Sequence, residues 1–233
     1  MAPCAQNKTR EALSLPQPGL SGMLASVPLL QFLHPHPRSS TGFVAAWLTG
    51  FVAEADSTKY IVSAAHFDAR SHSFSARFFQ QSLASPITLR LRQFDGAVGE
   101  DVAIFSVDDS SVTAALAPLT IAADETFSVG DEAYIIGYPH PDLLKNHYKL
   151  DSPLQLVKKG VVGAKVPPGP GRSAFLLLDA IWDQGMSGGP VIQAATAAVI
   201  GLVSARPMLD GRPLEFISCP SGDQILDALS AVS

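Results

Sequence analysis

Residues 184–191 read QGMSGGPV and run into an apolar segment, VIQAATAAVIGLV. One serine, Ser187, stands among three glycines and a proline. The stretch is too short to be a flexible linker. Glycine adopts backbone conformations that side chains forbid, so glycines fixed around a nucleophilic residue give the backbone itself a task. A serine hydroxyl is a poor nucleophile until a neighbouring base takes its proton. The oxyanion that forms on attack also needs preorganised donors, often backbone N–H groups. A Gly-X-Ser-Gly-Gly turn offers both conditions. It exposes Ser187 and lets the N–H groups of Gly185 and Ser187 point at one spot, with no side chain in a substrate's way.

Such a turn requires a base and a group to orient it. The candidate base is His66, which ends the apolar run in SAAHF. The candidate acid is Asp101 in EDVAIF, at the entrance to another apolar run. A part-buried carboxylate there holds the imidazole by its second nitrogen and fixes the tautomer. Each residue alone has an ordinary structural explanation: a turn serine, a rim histidine, a strand-opening aspartate. Their ordered occurrence outweighs these explanations. His34, His36, His72, His140 and His147 read as structural or solvated, the last two in a long loop that could border a substrate. Asp95, Asp108 and Asp109 compete weakly with Asp101, since none leads an apolar strand as directly.

The texture between these motifs is β. GFVAAWLTGFVAE, a turn at ADSTK, YIVSAAHF, SFSARFF, ITLRLRQF and DVAIFSV read as successive strands rich in β-branched and aromatic residues. Residues 108–127 read as a connection. A second group follows: DEAYIIGYP, the loop HPDLLKNHYKLDS, LQLVKKGVVGAKV, AFLLLDAI, PVIQ and AVIGLVSA. In the tail, Ile225, Leu226 and Leu229 recur at helical spacing after a cap at Ser221. Residues 1–40 read as a partly disordered N-terminal arm, with Met23 to Leu33 a short helix or an extended segment packed on the domain. The first strand group covers about 41–110, the second about 118–220 and the helix about 221–231. Many short strands in two groups are barrel or sandwich texture, not alternating βαβ.

Composition narrows the function classes. Of 233 residues, 47% are hydrophobic and 16% charged, enough to bury a core, and the formal net charge is −5. No basic block marks a nucleic-acid partner. No apolar run reaches the ~20 residues of a membrane span. Prolines break the N-terminal segment, which argues against a secretory leader. The only cysteines, Cys4 and Cys219, lie at opposite ends, so a structural disulfide is not expected; this sparse use fits an intracellular, reducing compartment. No CxxC or HExxH spacing occurs, so neither a metal nor another cofactor is implied.

SAAHF, EDVAIF and GMSGGPV, in that order, resemble the chymotrypsin-fold serine endopeptidases. The segments LLLDAIWDQGMSGGPVI, AVIGLVSA and FISCPSGDQILDAL resemble the HtrA/Deg-like branch. The likeness spans about 41–230. It implies an all-β, double six-stranded barrel with the site between barrels, and endopeptidase activity on a protein or peptide substrate. His66 would be general base, Asp101 its orienting acid and Ser187 the nucleophile. Gly185 and Ser187 N–H would form the oxyanion hole. Two departures stand out. Met186 occupies the position where the digestive members place an aspartate that pairs with a newly cut N-terminus, so activation through that ion pair is not expected. No PDZ domain follows within these 233 residues. By the same likeness, Ile181 would lie at the base of the specificity pocket, with Val203, Ser204, Ala205 and Arg206 as its wall. An apolar base favours small or aliphatic residues before the scissile bond, whereas an inward Arg206 would favour an acidic one or narrow the pocket. Two alternatives remain at this point: a catalytically silent peptide-binding module and a narrowly specific self-processing protease. The oligomeric state is not legible.

Overall fold

In the computed structural model, residues 19–35, 43–67, 73–79, 85–95, 101–170 and 173–233 are described. After a short helix α1 (Leu20–Ala25), six strands form the first unit: β1 (Leu29–Pro35), β2 (Phe43–Ala55), β3 (Thr58–Ser63), β4 (Ser73–Arg77), β5 (Ile87–Asp95) and β6 (Val102–Val107). They close into an antiparallel barrel in the order β1-β2-β3-β6-β5-β4. The period-2 alternation of ITLRLR acts as expected: Ile87 and Leu89 are buried, while Thr88 and Arg90 face solvent. The β2–β3 hairpin turns at Asp56 and Ser57, both at positive φ (47° and 63°). That two-residue geometry matches the twist of the strands it joins.

The barrel begins earlier than the sequence expectation of residue 41. Strand β1 lies inside the expected arm and pairs with β2 and β4, burying Leu29, Leu30 and Phe32. Pro28 precedes this strand instead of interrupting it, so the missing N–H costs no ladder bond. The rest of the expected arm, residues 1–18 and 36–40, lies outside the described residues.

The connecting segment 108–127 contains a one-turn helix, α2 (Ser110–Ala115), capped by the Asp109 carboxylate, which accepts from the N–H groups of Ser111 and Val112. The second unit comprises β7 (Glu132–Gly137), helix α3 (Pro141–Tyr148), β8 (Leu156–Val166), β9 (Phe175–Asp179), β10 (Pro190–Gln193) and β11 (Val199–Leu202). A small hairpin of β12 (Met208–Leu209) and β13 (Arg212–Pro213) follows, then β14 (Ile217–Pro220) and helix α4 (Gly222–Ser230). Six of these strands form a sheet in the order β11-β10-β7-β8-β9-β14. Its two edges approach through bridges Gly201–Ser221 and Ala205–Ser218, leaving a nearly closed barrel. Helix α3 falls within the expected long loop. Its start signals are present: Pro141 in the first turn with Asp142, and Lys145 and His147 in the last.

Each barrel has its own apolar interior, and a third cluster joins them. Val27 and Leu29 precede or begin β1, Ile136 and Ile192 come from the second barrel, and Ile225 and Leu229 from α4; all meet there. Tyr138 is fully buried in this junction and donates its hydroxyl to the Val27 carbonyl at 3.1 Å. Burial pushes its ionisation upward, so it acts as a neutral donor. Cys219 is a buried free thiol whose ionisation burial also pushes up, which makes it a packing residue; Cys4 lies outside the described residues. Among the described residues no helix is long and apolar enough to cross a membrane.

Candidate active site

Strand pairing brings His66 and Asp101 together. Strands β3 and β6 are antiparallel neighbours with Ser63 opposite Ala103. Continuing that register past the ends of both strands sets residue 65 opposite residue 101. The Asp101 carboxylate accordingly accepts the Ala65 N–H at 2.8 Å through Oδ1. Its other oxygen, Oδ2, lies 2.6 Å from Nδ1 of His66. An ionised carboxylate can only accept, so Nδ1 carries the proton and Nε2 is left with a lone pair. Asp101 is 14% exposed and His66 41%, so the pair has a sheltered acid and an accessible base.

The turn that carries Ser187 is built from backbone. It lies between β9 and β10, which are not paired with each other, so the segment 180–189 crosses the end of the second barrel. Gly185 and Gly188 have φ of 97° and 82°, where side chains are strained. Space is equally decisive: a Cβ on Gly188 would lie 2.1 Å from the Thr49 carbonyl, and one on Gly185 would lie 2.4 Å from that of Tyr138. The Gln184 carbonyl accepts the His140 N–H at 2.7 Å. In a trans peptide N–H and C=O point in opposite directions, so the Gly185 N–H is turned away from His140. Met186, Gly188 and Gly189 each donate their N–H within the protein, to Asp183, Val203 and Met186. The N–H groups of Gly185 and Ser187 meet no acceptor among the described residues. Both are left able to donate to a ligand.

The hydroxyl of Ser187 points elsewhere in this conformation. It donates to the Ser204 carbonyl at 3.1 Å rather than to His66. Both residues nevertheless line one cleft, and Ser187 is 97% covered. The Ser204 hydroxyl in turn donates to Oδ2 of Asp101. Sequence reasoning placed Ser204 in the pocket wall; its side chain instead braces the acid.

Comparison with known proteins identifies the family and the fold. Residues 48–202 match the family model described as a trypsin-like peptidase domain. The chain belongs to the trypsin-like peptidase family. Solved structures share its fold. The active form of the Rv3671c protease from M. tuberculosis is 18% identical, with a TM-score of 0.67 over 100% of this chain and 95% of that one. Its inactive form is 20% identical, with a TM-score of 0.63 over 91% of each chain. The HtrA-type protease AlgW with tripeptide is 17% identical, with a TM-score of 0.68 over 91% of this chain and 61% of that one. No protein among the curated ones matches the sequence significantly.

What fastens the turn in this trypsin-like peptidase was not visible in the sequence. Thr49 of β2, fully buried, donates its N–H to the Ser187 carbonyl at 2.8 Å and its hydroxyl to the Gly185 carbonyl at 2.7 Å. The same hydroxyl accepts the Tyr138 N–H at 3.1 Å. One residue of the first barrel therefore holds the carbonyls on both sides of Met186. Met186 itself is fully buried in the second barrel's core beside Ile135, Val191 and Val203. An apolar anchor, worth roughly 1.5–3 kcal/mol for a side chain of this size, stands where an ion pair was ruled out.

The cleft beside Ser187 has a volume of about 860 Å³ and is bordered by Trp47, His66, Asp142, Trp182, Gly185 and Arg206 among others. Ile181 is not at its base. It is 75% exposed and absent from the lining, because the chain leaving β9 carries the side chain outward and Trp182 inward. Val203 is buried in the core, its backbone gripping Gly188 and Gly189, and so offers no side chain to the cleft. Ala205 is exposed and bridges to Ser218. Of the expected wall, Arg206 alone presents a side chain to the cleft, with its Nε donating to the Leu214 carbonyl at 2.8 Å. Asp183 pairs with Lys158, and Asp142 accepts the Trp47 indole N–H at 2.8 Å. Among the described residues no group of His, Cys, Asp or Glu is arranged to hold a metal.

Proposed function

We propose that this peptidase is a serine endopeptidase that works through His66, Asp101 and Ser187. The supporting observation is the shared cleft: an oriented His66–Asp101 pair, the Ser187 hydroxyl, and two backbone N–H groups without acceptors. Turning the Ser187 side chain about its Cα–Cβ bond from Ser204 toward His66 gives up one hydrogen bond, about 1 kcal/mol. Nε2 of His66 then takes the hydroxyl proton as Oγ attacks the substrate carbonyl. The oxyanion is stabilised by the Gly185 and Ser187 N–H groups, and Asp101 stabilises the imidazolium. The imidazolium passes its proton to the leaving amine, giving an acyl-enzyme. A water, deprotonated by His66, attacks the ester carbon, and Ser187 leaves with the proton back on Oγ.

The position of the Ser187 hydroxyl favours a second reading, a protease-fold module that holds peptides without cutting them. A fluorophosphonate probe separates the two. Labelling that maps to Ser187 in the native protein, and is lost in Ser187→Ala, supports the hydrolase. Native protein that stays unlabelled while still binding peptide supports the module.

A further inference from the structure

We propose that Arg206 makes this cleft selective for an acidic side chain close to the scissile bond, an inference that rests on the endopeptidase reading and names its substrate class. Arg206 stands two residues beyond Ser204, whose carbonyl touches the Ser187 hydroxyl. Its guanidinium is held by one bond only, from Nε to the Leu214 carbonyl. That bond orients the fork and leaves the two terminal nitrogens unused. Among the described residues no carboxylate pairs with it.

The other charges of the cleft are already engaged. Asp183 has Lys158, with His140 Nε2 at 3.9 Å, and Asp142 has the Trp47 indole. Asp101 holds His66. Among the described residues, Arg206 is thus the cation of the cleft lining with capacity to spare, in the cleft that Ser187 also lines. The apolar residue expected to oppose this chemistry, Ile181, is directed to solvent. A planar guanidinium with two free nitrogens matches a carboxylate bidentately, and a neutral isostere cannot use it as well.

The test uses quenched fluorescent peptides identical except for one residue, Glu, Gln, Leu or Lys, at each of three positions on either side of a single cleavable bond. The expected result is a preference for Glu over Gln at one position, on the order of tenfold in kcat/KM, the size expected of one charge-assisted bond. Arg206→Gln should bring that ratio close to one, and Arg206→Glu should turn it toward Lys. The proposal is overturned if wild-type protein shows no Glu preference, or if Arg206→Gln slows all peptides in parallel. The same peptides are titrated against Ser187→Ala, where a Glu-over-Gln difference in Kd that vanishes with Arg206→Gln supports the proposal without any turnover. Absence of fluorophosphonate labelling would then remove the hydrolase reading alone, while equal Kd values for Glu and Gln peptides would remove the Arg206 proposal alone.

Discussion

The two barrels contribute to the site in different ways. The first supplies side chains: His66 and Asp101 follow and precede paired strands, the β3–β6 register sets their backbones side by side, and their side chains meet at 2.6 Å. The second supplies backbone: free N–H groups at Gly185 and Ser187, in a turn whose glycines lie against carbonyls of Thr49 and Tyr138. The side-chain half is complete as it stands. The backbone half is complete in its donors, but its hydroxyl rests on Ser204. What differs is where each half gets its rigidity. One relies on a local sheet with a single brace from Ser204, the other on contacts between residues 136 apart in the chain.

Removing the chemistry of either half should have the largest effects. Ser187→Ala should lower kcat by about 10⁴–10⁶-fold with little change in melting temperature, since the lost hydroxyl makes one hydrogen bond. A large fall in melting temperature would make the serine structural. Asp101→Asn keeps the shape but cannot hold the same tautomer, and should cost about 10⁴-fold. Equal activity in wild type and Asp101→Asn would break the comparison at its better-ordered half.

The next effect is on folding. Gly188→Ala places a Cβ against the Thr49 carbonyl, the Ser63 hydroxyl and the Ala64 N–H, at a φ that alanine rarely adopts. Backbone cannot yield as a flexible side chain can, so a loss of about 4 kcal/mol or more is expected, at the high end for single substitutions. Urea denaturation measures it. A change below about 1 kcal/mol would mean that the barrels are not fastened together through this turn.

Thr49→Val sharpens the comparison further, because it keeps the volume and removes only the hydroxyl. The Gly185 carbonyl and Tyr138 N–H would lose their partner in a buried place, about 1–3 kcal/mol each. The Gly185–Met186 peptide, which lies between the peptides carrying the Gly185 and Ser187 N–H groups, would be free to turn, and kcat should fall about 10–100-fold with KM nearly constant, as for weakened oxyanion donors. Thr49→Ser restores the hydroxyl and should recover most of the rate. Failure of that rescue would assign the defect to packing.

These contacts mark the limit of what the sequence disclosed. Patterns local to one strand or turn were legible: the alternation of β5, the Asp56–Ser57 turn, the strand-end positions of His66 and Asp101, the glycines around Ser187 and the α4 periodicity. Helices α2 and α3 were missed although Asp109 and Pro141 announced them, because each is only a turn or two long. Strand β1 was placed in the arm, where Met23 to Leu33 was expected as a short helix or an extended segment packed on the domain; the extended option is close to what forms, but its pairing into the barrel had no local signal. The roles of Thr49 and Ser204 had no local signal at all, for they arise when two barrels meet. The error over Ile181 has the same origin: its distance along the chain from Ser187 is fixed by the sequence, but the path of the crossing segment is fixed by what Trp182 and Met186 bury.

The smallest effect tests the far rim of the cleft. Trp47 of β2 donates its indole N–H to Asp142 in the first turn of α3, an exposed bond between the barrels. Trp47→Phe keeps the ring and removes the donor. Exposed side-chain pairs contribute little, about 0.5–1.5 kcal/mol at most, so the melting temperature should fall by no more than a few degrees. The chemistry should be untouched, because neither residue reaches the His66–Asp101 pair or the Ser187 turn. Peptide binding should weaken severalfold, since α3 borders the cleft and loses its tie to β2. A rise in KM at constant kcat is the expected signature. A fall in kcat of the size predicted for Thr49→Val would instead mean that α3 acts on the turn through His140, whose N–H holds the Gln184 carbonyl.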